Sequence, residues 1–134
     1  MLASIIHAFK VAHSIVREHA KKLTRSSKWA GVRRTVLKAN PACACCGSTN
    51  FLQVHHMQPF HIKPDLELNP KNLIVLCMSK NECHLLIGHG NNFKKYNPYI
   101  AADAKNVSCG SITVSEAVVE AKINSLFLLV DIET

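Results

Sequence analysis

The chain has 134 residues, 48% of them hydrophobic, a length that suits one domain rather than two and a core small enough to need a staple such as its six cysteines. No stretch reaches the roughly 18 continuous apolar residues of a membrane span, and the N-terminus lacks the compact apolar region of a secretory signal. Disulfides are therefore not expected, metal-binding thiolates in a reduced, cytoplasmic setting are, and the net charge of +7 favours a polyanionic partner over a membrane.

Residues 1–24 predict a basic amphipathic helix. Leu2, Ile5, Ile6 and Phe9 follow the i, i+3, i+4, i+7 spacing, Val16 and Leu23 extend the stripe, and Lys10, Arg17, Lys21 and Lys22 lie mostly off it. From Lys10 to Lys38 there are nine basic residues and one acid, Glu18, a cluster that suits phosphate contact, while residues 1–28, basic and amphipathic with that single acid, share the composition of a mitochondrial transit peptide and of a helix that contacts DNA. Ser26-Ser27 is placed to cap a second helix over residues 28–38, with Trp29, Val32, Val36 and Leu37 on its buried side, and Asn40-Pro41 to stop it.

Residues 43–100 hold five of the eight histidines and four of the five prolines, which predicts short elements joined by tight turns. A strand over residues 51–54 leads into His55-His56, a second apolar run at residues 72–76 precedes Cys77, and residues 83–88 read as a short helix ending at Gly88. The tail, residues 101–134, reverses sign with five acids and two lysines. Ser115 can cap a helix there with Val119, Ile123, Leu126, Phe127 and Val130 on one face, although residues 126–130 read equally well as a buried strand. No chemistry is visible in this tail, whose role is packing or partner contact.

Cys43 and Cys46 form a C-x2-C pair followed by Gly47, a spacing that lets two thiolates reach one tetrahedral zinc ion around a tight turn. Cys77 and Cys83 supply a second pair some thirty residues on, and two pairs bracketing a His-rich segment suit a four-cysteine structural zinc. Cys45 reads as a bystander and Cys109 as a buried free thiol. Between the pairs stand His55 and His56. Adjacent side chains on an extended strand point to opposite sides, so one imidazole can bind a metal while the other acts as a base.

These pieces occur in a telling order: Cys43-x2-Cys46, Val54-His55-His56-x2-Pro59-Phe60, Asn72 to Cys77, then Cys83-His84. Together with Trp29-x3-Arg33 upstream and the stretch from Asn91 to Pro98 downstream, they resemble the HNH endonucleases, in particular small phage-associated ones, over roughly residues 25–100. The Cys77–Cys83 spacing departs from the commonest form of that family.

The resemblance implies an α+β fold with a small ββα-metal (His-Me finger) core, stapled by structural zinc and flanked by N-terminal and C-terminal helices. It implies His56 as the general base, Asn72 as the middle Asn that orients a loop or the base, and His55 as a ligand of the catalytic divalent cation. His84 is the expected second ligand, with His89 a further candidate for metal or DNA. Magnesium is the usual cation, although imidazoles suit manganese, nickel or zinc. The partner is DNA, RNA not being excluded, with phosphate contacts expected from Lys28, Arg33, Arg34, Lys94 and Lys95. The setting implied is a bacterial or phage-infected cell, with phage packaging or other DNA-processing proteins nearby. Two rival readings share parts of the pattern: a zinc-stabilised nucleic-acid-binding module without catalysis, and an interaction protein whose nuclease core has decayed.

Overall fold

A computed structural model of the chain describes residues 4–12 and 24–126, which form a mixed α+β structure around one small sheet. Leu2, Val16, Leu23, Phe127, Val130 and the lysines and arginine of residues 17–22 lie outside the described residues, so the full length of the expected N-terminal helix does too. Residues 4–12 are helical (α1) and leave Ile5, Ile6 and Phe9 exposed. Among the described residues, no helix is long and apolar enough to cross a membrane.

The second helix, α2, spans Trp29–Ala39. Its start is shaped by Ser26, whose hydroxyl accepts from Lys28 N at 3.2 Å and whose carbonyl accepts from Trp29 N at 3.1 Å; Lys28 itself is the cap residue and makes no side-chain cap bond. At the other end both amide groups of Asn40 return to the carbonyl of Val36, and Pro41 ends the run.

Strand β1 (Leu52–His56) pairs antiparallel with β2 (Leu73–Cys77), from Leu52 opposite Cys77 to His56 opposite Leu73. The period-2 alternation sorts this hairpin into two faces. Val54, Leu73 and Val75 pack with Val36 of α2 and, at its edge, Trp29 and Val32. Ile74 and Leu76 face the other way, into the larger core with Ile87, Ile100, Ala117 and Ala121. The long link between the strands holds two 3-10 turns, Pro64–Leu66 and Pro70–Asn72, each opened by a proline whose fixed φ favours that start.

After β2 the chain makes a single π-helical turn, His84–Gly88, followed by α3 (Ile100–Ser108) and α4 (Val114–Leu126). The start of α4 differs from the expected Ser115 cap. Thr113 takes that role in a reciprocal capping box, its hydroxyl accepting from Glu116 N at 3.2 Å while the Glu116 carboxylate accepts from Thr113 N at 2.7 Å.

The expected buried face of this helix is also reversed. Val119, Ile123 and Leu126 are exposed, and the small residues Ala117, Ala121 and Ser125 are buried. Close approach is the reason. Gly90, at φ +58°, lies against α4, where any Cβ would run into the Ser125 side chain and come within 2.9 Å of the Ala121 carbonyl. A stripe of large side chains on that face would hold the helix off the turn that follows Gly88.

Candidate metal centres

Two clusters of ligand-bearing side chains flank the hairpin. The first gathers Cys43, Cys46, Cys77 and Cys83, whose sulfurs all lie within 4.8 Å of one another. Cys43 and Cys46 sit on a tight turn closed by Gly47 N donating to Cys43 O at 2.9 Å, with Gly47 itself at φ +74°. Ala44 N donates to Val75 O at 2.9 Å, which fastens this turn to β2 next to Cys77. The sulfurs of Cys46 and Cys77 are 3.6 Å apart, too far for a disulfide and close to the edge of about 3.8 Å that four Zn–S bonds of about 2.3 Å would set. The group is compatible with a structural zinc.

Cys45 is not one of the four, yet it is only 2% exposed and packs in the same buried core as Cys43, Cys77 and Cys83. Cys45 and then Cys83 lower the Cys43 thiol from its ordinary range, while Cys43 and then Cys45 push the Cys83 thiol up. Cys109 departs from its expected burial: it is exposed at the end of α3, with its sulfur 3.1 Å from the Ser111 hydroxyl.

The second cluster gathers His55, His84 and His89, each offering a ring nitrogen within 4.8 Å of the others. His55 hangs from β1 on the face opposite His56, while His84 and His89 bracket the π-helical turn. In an α-helix, residues five apart are separated by about 140° around the axis and cannot share a site. The wider π turn, with its i to i+5 period, brings them to one side. Both candidates therefore stand beside His55, with ring centroids 5.1 Å (His84) and 4.7 Å (His89) away. Gly88 makes room, since a Cβ there would meet the His55 ring at 3.3 Å.

The hydrogen bonds of these rings are incomplete. Nε2 of His55 and Nδ1 of His84 are buried and have no partner. Nδ1 of His89 bonds the Lys95 carbonyl at 2.7 Å, and since only an N–H can donate there, its Nε2 keeps a free lone pair. Burial, reinforced by the neighbouring imidazoles, pushes His55 down to about 2, and burial followed by His89 pushes His84 down to about 4. His89 is lowered by burial against the opposing pull of the Lys95 carbonyl. Three neutral imidazoles with lone pairs to spare are the donor set a transition-metal ion requires.

On the other face, His56 stacks on Trp29 with centroids 4.5 Å apart, and its Nε2–H donates to the Glu67 carbonyl at 3.0 Å, leaving Nδ1 as an acceptor. Burial lowers its pKa, against the pull of that carbonyl. Glu67, itself buried, accepts from Ser26 N at 3.0 Å and pairs with Arg25 at 3.6 Å. Asn72 does not reach the histidines. Its amide donates to Gln58 O at 3.0 Å and to Leu66 O at 3.3 Å, and accepts from Gln58 N at 2.8 Å, which ties the link between the strands to the start of β2.

Both faces open into one cleft of about 420 Å³, large enough for a nucleotide. Of the expected phosphate contacts, Arg33 and Lys95 line it, and Lys28, Arg34 and Lys94 do not. Arg25, Phe60 and Phe93 line it as well. None of these three carries a role by sequence alone, although Phe60 closes the motif that begins at Val54 and Phe93 lies in the stretch from Asn91 to Pro98 that shares in the resemblance. No family model matches the chain, and no curated protein or solved structure does either.

Proposed function

We propose that the chain is a metal-dependent endonuclease of the HNH, or ββα-metal, type, which hydrolyses DNA phosphodiesters to leave 5′-phosphate and 3′-hydroxyl ends. The observation that carries this reading is the cluster of His55, His84 and His89, each with a ring nitrogen within 4.8 Å of the others beside a basic cleft, in which His55 and His84 each keep a buried nitrogen without a partner. Unsatisfied buried polar atoms are costly, and a cation held by all three rings removes that cost. Such a cation would neutralise phosphate charge and stabilise the leaving 3′-oxygen.

The chain's own groups supply the rest. His56 is neutral at pH 7, and its Nδ1 lone pair takes the proton from an attacking water. Its Nε2–H, held by the Glu67 carbonyl, fixes the tautomer and steadies the positive charge the ring then acquires. Trp29 and Glu67 hold the ring in place, while Arg33 and Lys95 bind the phosphates that flank the scissile bond. Asn72 acts at one remove, by fixing the loop that carries Gln58. The four-cysteine zinc is the staple. An all-imidazole donor set without a carboxylate favours manganese, nickel, cobalt or zinc over magnesium, which prefers oxygen ligands. A role beside phage DNA-packaging proteins, in a bacterial cytoplasm, rests on the resemblance in sequence.

A non-catalytic zinc-stabilised binding module accounts for the cysteines and the charge, but gives no reason for three converging imidazoles. Plasmid cleavage separates the two. Zinc-loaded protein is expected to cut with added manganese, nickel or cobalt and to stop with a chelator, and His56→Ala is expected to lower the rate at least about a hundredfold while DNA affinity is kept. A folded, zinc-loaded protein that cuts with none of these metals removes the nuclease reading, and cutting that survives the chelator or the His56→Ala change removes the HNH mechanism.

A further inference from the structure

Phe93 stands at the mouth of the cleft with 57% of its surface exposed. Its ring centroid is 5.0 Å from His89 and 5.8 Å from His84, so it touches the metal-ligating pair and nothing covers its outer side among the described residues. An exposed aromatic side chain on a loose loop would carry no meaning. This loop is closely bonded. Asn91 N donates to Leu85 O at 2.9 Å, Asn92 N to His89 O at 3.2 Å, Lys95 N to Asn92 O at 2.8 Å, and Lys94 N to the Asn92 side chain at 2.9 Å. Asn97 N returns to Gly88 O at 2.9 Å, and the Lys95 carbonyl is held by the His89 ring. Gly90 and Asn91, at φ +58° and +67°, make the reversal that puts residue 93 at the tip. The fold therefore spends bonded backbone on presenting an apolar ring to water beside three imidazoles.

Elsewhere in the lining the Arg25 guanidinium lies over Trp29 and Phe60 at 5.5 and 4.6 Å, and His56 stacks on Trp29, so each of these two rings already carries a partner. Phe93 keeps 57% of its surface exposed and so offers a face free to receive a ligand. Lys95, two residues on, and Arg33 supply positive charge on the cleft walls. A free aromatic face beside a phosphate-binding centre is the arrangement by which proteins hold unpaired bases, since every base has a π-face while a continuous duplex hides those faces in its own stack.

Resting on the nuclease reading above, we propose that Phe93 is the stacking platform for the base next to the scissile phosphate, so that the substrate is DNA with unpaired bases (single-stranded, flapped or bubbled) rather than continuous duplex. A duplex must first unstack a base to use the platform, and a single strand need not.

The test compares a single-stranded oligonucleotide with the same sequence in a duplex. Cleavage by the intact protein is measured with manganese or cobalt, and binding by fluorescence anisotropy with His56→Ala. The single strand is expected to be cut faster. Phe93→Ala is expected to lower cleavage and binding of the single strand by roughly five- to a hundredfold, with a smaller loss on duplex and recovery in Phe93→Trp. A single strand carrying 2-aminopurine next to the cut site should lose fluorescence on binding the parent and keep it with Phe93→Ala. Equal losses on both substrates, or none on either, overturn the platform. If neither substrate is cut with any metal, the nuclease reading fails by itself, and the anisotropy ratio and the 2-aminopurine signal still decide the stacking.

Discussion

The two ligand clusters are joined at adjacent residues, Cys83 and His84, yet they differ in the number of donors and in what surrounds them. The cysteine cluster has four sulfurs, three of them on buried residues, merged with Leu76, Ile87 and Ile100 in the larger core. The histidine cluster has three nitrogens and opens on the cleft. Four protein ligands fill a tetrahedral ion's coordination sphere and suit a staple; three leave a position for a reacting molecule. The difference implies a one-way dependence. A zinc held by the cysteines would fix where the π-helical turn begins and so position His84 and His89, whereas the histidines would be dispensable to it.

The largest effect expected from this asymmetry is in Cys77→Ser. Cys77 sits at the end of β2 with no exposure, so an oxygen there removes a ligand and leaves a polar atom in the core. Structural zinc contributes on the order of 10 kcal/mol in small zinc domains, comparable to the whole stability of a domain this size. Metal analysis should fall from one zinc per chain to near zero, and the cooperative thermal transition seen by circular dichroism should disappear. Cleavage should vanish with it. A Cys77→Ser protein that keeps its fold without zinc would show that the cysteines are ordinary core thiols.

The next effect is narrower. His84→Ala removes a buried nitrogen that has no partner in the chain, so the fold is expected to survive, with zinc retained at the cysteines. Cobalt titration of the metal-free chain reads the two sites apart, because thiolate ligands give intense charge-transfer bands and imidazoles do not. The thiolate bands should be unchanged, while affinity for the second equivalent drops about a hundredfold or more, beyond the usual cost of losing a mere supporting group. Loss of the thiolate bands in this variant would break the one-way dependence and make the two clusters one cooperative unit.

How far these centres were legible in the sequence follows from the kind of contact each one needs. The cysteine pairs, the hairpin and α2 could be read because they depend on short spacings and on period-2 or period-3.6 patterns, as in residues 43–46 and 52–56. The joint use of His84 and His89 was open, since a five-residue gap fits a common face only if the turn is π-helical, a choice made by tertiary packing around Gly88. The buried side of α4 was misread for a related reason. Hydrophobic periodicity favours Val119, Ile123 and Leu126, whereas the close approach of Gly90 selects Ala117, Ala121 and Ser125. Arg25 was missed because its partners, Glu67, Trp29 and Phe60, meet only across the strand link.

The smallest effect separates the two clusters by pH. In protein with zinc at the cysteines and no metal at the histidines, His55 and His84 are held at about 2 and about 4, against an unfolded value near 6.5. Between those limits the unfolded chain binds more protons than the folded one, so stability is fully present above about pH 6.5 and falls as the pH drops toward 4, His55 continuing to lose below that. The slope from a well-buried histidine is at most about 1.4 kcal/mol per pH unit, and His84, being less buried, contributes less. Denaturant melts at pH 7.5, 6.5 and 5.5 should show this loss, and His55→Ala should flatten it. A transition-metal ion competes with protons for the same lone pairs, so adding manganese or cobalt should shift the decline to lower pH in the parent and leave His55→Ala nearly unmoved. An unshifted parent would mean that the buried nitrogens are neutral but hold no ion, which would leave the cysteine cluster as the chain's one metal centre among the described residues.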